Sequence, residues 1–148
     1  MWIILIIIAI CVGAYLLVKR AGENTEQSAE QIGFNSSSRS YAFNIVGEQA
    51  YQDNLQKIAG KKEEDSKFVE VVAKVSSDPF NAYDKNAVKV EINGFLVGFL
   101  SREDAKHLAG KVINKNVPAV INGGWLDEES EGSYGVKLGI NNLNELVD

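Results

Sequence analysis

Asn93-Gly94 stands between two short apolar stretches, residues 87–92 and 95–100. Both residues accept the positive φ that a two-residue type I′ turn demands, and that turn matches the twist of paired strands. The dipeptide therefore predicts an antiparallel hairpin, whose register constrains whatever packs beside it. Around it the apolar period alternates between two and about 3.6 residues. Residues 41–46 alternate apolar and polar and stop at Gly47, as a strand does. Tyr51, Leu55, Ile58 and Ala59 recur at helical spacing, and Gly60 is a natural stop. Residues 68–75 are a β-branched run interrupted by Glu70, hence a strand. Ser101 reads as an N-cap, with Asp104 three residues on. The helix it starts would bury Ala105, Leu108, Ala109, Val112 and Ile113 on one face, leaving His107 exposed. Residues 117–122 form a further strand, with Pro118 near its start where a missing N–H is tolerated. Gly123-Gly124 reads as a bulge or a close approach, residues 127–132 as an acidic turn, and residues 134–140 as the last strand. Six strands and two helices predict a mainly β, α+β fold: a small closed or partly open β-barrel with helices packed at its ends.

Residues 2–18 carry no charge. As a helix rising ~1.5 Å per residue they would reach roughly 25 Å, near the thickness of a bilayer's hydrocarbon core. A cleaved signal peptide wants a positive start, and no basic residue precedes the run; a lipoprotein signal wants a small residue before Cys11, where Ile10 stands. A retained transmembrane anchor over residues 1–20 is the expectation, with residues 1–18 in the lipid bilayer. Lys19 and Arg20 follow at once, which places the rest of this single-pass chain on the cytoplasmic side. Residues 21–40 are rich in Glu, Gln, Asn, Ser and Gly and read as a flexible linker. The folded domain then covers residues 41–142, and residues 143–148 read as a polar tail. Cys11 and His107 are the only cysteine and histidine, so neither a disulfide within the chain nor a four-ligand zinc site is expected, and no cofactor.

The remaining motifs exclude much chemistry. There is no P-loop, no pattern around His107 that supports a nucleophilic triad, and the paired acids Glu63-Glu64 and Glu128-Glu129 fall in turns. An enzyme is not expected. Residues 41–125 hold eleven Lys/Arg and eleven Asp/Glu, so the domain should not coat nucleic acid non-specifically. Capturing the end of a strand needs only a local cation. Lys61, Lys62, Lys111 and Lys115 read as solvated surface, of interest only if they border the loop described next.

That loop is Asp78-Pro79-Phe80-Asn81-Ala82-Tyr83-Asp84-Lys85-Asn86-Ala87. Asp-Pro breaks regular structure, and Asn81, Asp84 and Asn86 favour turns through local hydrogen bonds. Tyr83 either pins the loop to the core or offers its ring to a planar ligand bearing hydroxyls, such as an unpaired nucleotide. Asp84 is either an acceptor for that ligand or an Asx-turn acceptor that stiffens the loop.

Asn81-Ala82-Tyr83-Asp84-Lys85-Asn86-Ala87-Val88 resembles the Asn-Pro-Tyr-Asp-x-Asn-Ala-Ile/Val signature of the HIRAN domain, departing at Ala82. Val97-Gly98-Phe99-Leu100-Ser101-Arg102-Glu103 is similar to that family's Gly-x-Leu step before a short helix, and Ile45-Val46-Gly47 to its opening strand. The resemblance covers about residues 41–124. It implies a barrel related to the OB-fold that captures the 3′ end of single-stranded DNA. By resemblance Tyr83 contacts the terminal nucleotide, Asp84 accepts from the 3′-hydroxyl, Asn81 bonds the same nucleotide, and Arg102 stands where the family has a lysine near phosphate. Helix N-terminal amides there would add to the attraction for anions. The family's Arg-Tyr clasp after the first strand is replaced near Gln49 and Ala50, with Tyr51 next along, either a substitute or core of the first helix. Phe99, where the family has a histidine, either stacks on a base or packs inward. Trp125 either gives a second stacking face or packs plainly. The implied partner is a single-stranded DNA end or unpaired, damaged DNA. The alternative is a protein-interaction module at the cytoplasmic membrane surface, without nucleic acid.

Overall fold

The computed structural model describes residues 40–147. The strands are β1 (Phe43–Asn44), β2 (Lys67–Ser77), β3 (Val88–Ile92), β4 (Phe95–Phe99), β5 (Asn114–Gly123) and β6 (Tyr134–Leu138). The helices are α1 (Gln52–Ala59), entered through a 3-10 turn Glu48–Tyr51, and α2 (Arg102–His107). The protein is mainly β: a six-stranded sheet in the order β1-β6-β5-β2-β3-β4, with every neighbouring pair antiparallel, curls into a half-barrel. β2 is the spine. It pairs with β5 over nearly its full length and with β3 through its second half. Alternation sends Ala73 and Val75 of β2, Val88, Val90 and Ile92 of β3, and Val136 and Leu138 of β6 into one core, each nearly inaccessible.

The β3–β4 hairpin turns at Asn93 (φ 52°) and Gly94 (φ 79°), both in the positive-φ region that the type I′ turn requires. The two edges of the curl meet at one further point. Val46, just past β1, exchanges backbone hydrogen bonds with Phe99 at the end of β4: Val46 N–H to Phe99 O at 2.8 Å and Phe99 N–H to Val46 O at 2.9 Å. Gly98 permits this approach, because a Cβ there would lie 2.7 Å from Val46 O and 2.9 Å from Ile45 Cδ1.

α1 closes one end. Leu55 is fully buried, and two amide side chains tie the helix to the strands. Gln52 donates to Tyr134 O (2.9 Å) and accepts from Tyr134 N–H (2.8 Å), acting like a strand neighbour at the start of β6. Asn54 donates to Leu96 O of β4 at 2.9 Å.

Several expectations need correction. α2 stops at His107 rather than running to Ile113, because Gly110 takes φ 80°. Val112 is 90% exposed and Ala109 is exposed; the apolar spacing there mimicked a helical face. Only Ile113 of that last stretch turns inward, where its N–H bonds Ser77 Oγ (2.8 Å). β5 starts earlier than expected, so Pro118 lies inside it. Its carbonyl accepts from Gly139 N–H (2.7 Å) just beyond β6, so the missing donor falls at the margin of the β5–β6 ladder. The segment read as a polar tail forms a 3-10 turn, Leu143–Leu146, capped by Asn142. Leu146 is only 2% exposed, and burying a leucine is worth about 1.5–3 kcal/mol, so this segment belongs to the core. The apolar run at residues 2–18 and the linker to residue 39 lie outside the described residues; among those described, no helix is long and apolar enough to cross a membrane.

Candidate functional site

The loop between β2 and β3 is built from its own polar groups. Asp78 N–H reaches Ala87 O (2.8 Å) across its base, and Asn81 N–H and Ala87 N–H bond Asp78 O (3.1 Å) and Asp84 O (3.0 Å). Asn81 Oδ1 accepts from the N–H groups of Tyr83 (3.0 Å) and Asp84 (3.1 Å), while its Nδ2 donates to Asp78 Oδ2 (3.1 Å). Asp84 Oδ1 accepts from Asn86 N–H at 2.8 Å, closing an Asx turn. Asn81 is thus largely consumed in shaping the loop. Asp84 spends one oxygen on it and keeps Oδ2 free of described partners.

With its backbone held this way, the loop thrusts Tyr83 outward. Its side chain is 90% exposed, so it does not pin the loop to the core. An exposed aromatic on a stiff loop loses little conformational freedom on meeting a ligand.

A cavity of about 300 Å³ opens beneath the loop. Six of the residues singled out in the sequence line it: Tyr51, Asn81, Tyr83, Asp84, Phe99 and Arg102. Val46, Ala87, Leu100 and Ala105 complete its walls. Tyr51 and Phe99, read as core or ligand contacts, are half-buried: they face each other and line the cavity. Their rings lie 6.3 Å apart at 52°, forming an aromatic wall opposite the loop. Tyr51 takes that place because Gly47 (φ 85°) turns the chain sharply from β1 into the 3-10 turn. Gln49 and Ala50 are exposed and do not line the cavity, whereas Tyr51, the next residue, does.

Arg102, first residue of α2, is exposed and has no ion-pair partner among the described residues. Ser101 caps the helix, accepting from Asp104 N–H (3.1 Å) and donating to Asp104 Oδ2 (2.7 Å). With Glu103 and Asp104 in the only full turn, the guanidinium rather than the helix end supplies positive charge to the cleft. The cleft therefore pairs a stacking surface with one free carboxylate oxygen and one cation. That set suits a planar ligand carrying a hydroxyl and an anionic group.

Trp125 is elsewhere. It lines a different cavity with Gln49 and Phe68. Its indole lies against Gly132, where a side chain would collide with the ring, and Nε1 donates to Ser130 Oγ at 3.1 Å. The turn beneath is held by Asp127, whose Oδ1 accepts from the Glu129 and Ser130 amides (2.8 and 2.7 Å). Those bonds keep its carboxyl below the ordinary range. Among the wall residues, Val46 was missed by sequence reasoning. Its place depends on pairing with Phe99, 53 positions away, and no local pattern carries that information.

Comparison with protein-family models, with curated proteins and with solved structures finds no match to the chain.

Proposed function

We propose that this protein is a HIRAN-like binding module that receives the 3′ end of single-stranded DNA, or an unpaired stretch of damaged DNA, and performs no chemistry on it. In this reading the barrel is OB-like and residues 2–18 hold it at a membrane, facing the cytoplasm. The observation that carries the proposal is the cleft itself, which gathers Tyr51, Asn81, Tyr83, Asp84, Phe99 and Arg102 around one cavity. Tyr83 stacks on the terminal base, with Tyr51 and Phe99 as the opposing wall. The free Asp84 Oδ2 accepts a hydrogen bond from the 3′-hydroxyl, and Arg102 faces the adjoining phosphate.

The test is a fluorescence titration of the full chain, in detergent, with strands ending in a 3′-hydroxyl or a 3′-phosphate. The hydroxyl strand should bind at least about tenfold tighter, since a phosphate would meet Asp84 charge to charge. Tyr83→Ala should cost about 1–3 kcal/mol of binding with little change in melting temperature. Asp84→Asn retains the oxygen that accepts from Asn86 but puts an amide donor against the hydroxyl, so it should lose binding and keep the loop. Negligible binding of both strands would sink the proposal. One feature favours a protein partner instead: Phe80, in the same loop as Tyr83, is 96% exposed, so the loop offers two aromatic side chains to solvent. Capture of a membrane protein that depends on both rings, without strand binding, would support that second reading.

A further inference from the structure

The Tyr83 loop has a second side. There, between the loop and the turn that follows α2, lies a larger cleft of about 610 Å³. Its walls carry Lys74, Lys85, Lys89 and Lys111, and Ala87 lines both this cleft and the Tyr83 cavity. The lysines come from four places: β2, the loop, β3 and the turn before β5. Lys89 is held by Glu91 (2.8 Å), which stands across from Lys74 in the β2–β3 register. Lys74, Lys85 and Lys111 are exposed and make no ion pair among the described residues. In a domain of balanced charge, three unpaired cations around one concavity form a local field for anions.

The second observation is a hydroxyl. Ser76 lines the same cleft, on the β2 face that carries Lys74 and opposite Lys89 in the register. Among the described residues it is the one buried non-aromatic polar side chain, at 9% exposure, and its Oγ is sealed without a hydrogen-bond partner. Buried hydroxyls are nearly always partnered, and an orphan marks a place where a partner belongs. A phosphate oxygen meets what both the lysines and the hydroxyl lack: it accepts from each, once the flexible lysine side chains gather on it.

We propose that this cleft is a second site, for backbone phosphates of a nucleic-acid strand. It rests on the proposed strand-end site only for its direction. A strand whose end lies under Tyr83 passes the Ala87 wall and lays its preceding phosphates among Lys74, Lys85 and Lys111, and Ser76 becomes a hydroxyl donor at the floor once the side chains that seal its Oγ shift as the lysines gather on the phosphates. The domain then grips a strand end by base and sugar on one side of the loop and by charge on the other.

Salt dependence of strand binding by the full chain tests it, with Lys85→Ala and Lys111→Ala combined in one variant. Both side chains are exposed, so folding is not at risk. The variant should bind a labelled single strand about tenfold more weakly and lose ~1.4 from the log–log salt slope, at ~0.7 per phosphate for single strands. Its preference for a 3′-hydroxyl should remain. Ser76→Ala should raise the melting temperature of the free protein, by removing an unpartnered hydroxyl, and shrink the rise that the strand induces. Unchanged affinity and slope in the lysine variant would overturn the site. Inorganic triphosphate binding as tightly as the strand would overturn its assignment to nucleic acid, and an undiminished strand-induced rise in Ser76→Ala would remove the hydroxyl from it. Loss of slope without any 3′-hydroxyl preference would instead fault the strand-end cavity and leave this cleft standing.

Discussion

Gly98 lets the two edges of the curl meet beside the cleft by having no side chain. A Cβ there would press on Val46 O and Ile45 Cδ1, and one of those atoms is backbone. Gly98→Ala should therefore cost about 1–3 kcal/mol of stability, the usual range for overpacking, measured by denaturant unfolding. It should also weaken ligand binding, because Val46 and Phe99 both line the cavity. At this scale the sequence was legible where the chemistry is local. Asn81 and Asp84 shape their loop through neighbours two or three positions away, and such bonds follow from residue type. The orientations of Tyr51 and Trp125 were not legible. Each depends on a partner in a distant segment or on the path of a turn, Phe99 for one and the Gly132 side of the acidic turn for the other.

Among the elements, α2 is the shortest helix and the most consequential, since it presents Arg102 to the cleft. Six residues cannot sustain a helix by propensity, so its N-cap matters. Ser101→Ala removes the acceptor for Asp104 N–H and should cost about 1 kcal/mol, read as a melting temperature lower by roughly 4 °C. The cap and the β3–β4 hairpin could be read directly, because Ser101 and Asn93-Gly94 act through the next few residues. The far end of the helix could not. Ala109, Val112 and Ile113 keep helical spacing, yet Gly110 leaves the helix and hands Ile113 to the approach to β5. Glycine can take either hand of φ, so its residue type alone does not say which it takes.

Taken whole, the sheet is strong at its centre and thin at its seam. β2 and β5 share ten register pairs, whereas among the described residues the backbones of the curl's two edges are bridged at the single pair Val46 and Phe99. Amide hydrogen exchange should reflect this: Val46 and Phe99 N–H should exchange much faster than Ala73 and Val75 at the centre, and ligand in the cleft should slow them selectively. Equal protection at both places would mean that the edges are held by more than this pair. The class of fold and a closed or partly open barrel were legible from the number and alternation of the strands, but the place where its edges meet was not, because that pair joins residues 46 and 99. The loop over the cleft obeys a different economy. Its base is tied Asp78 to Ala87 and its interior bonds are its own. Residues 78–87 therefore behave as a cassette: their form travels with them, and a strand pair of another protein could carry the same outward tyrosine if these ten residues were grafted between its ends.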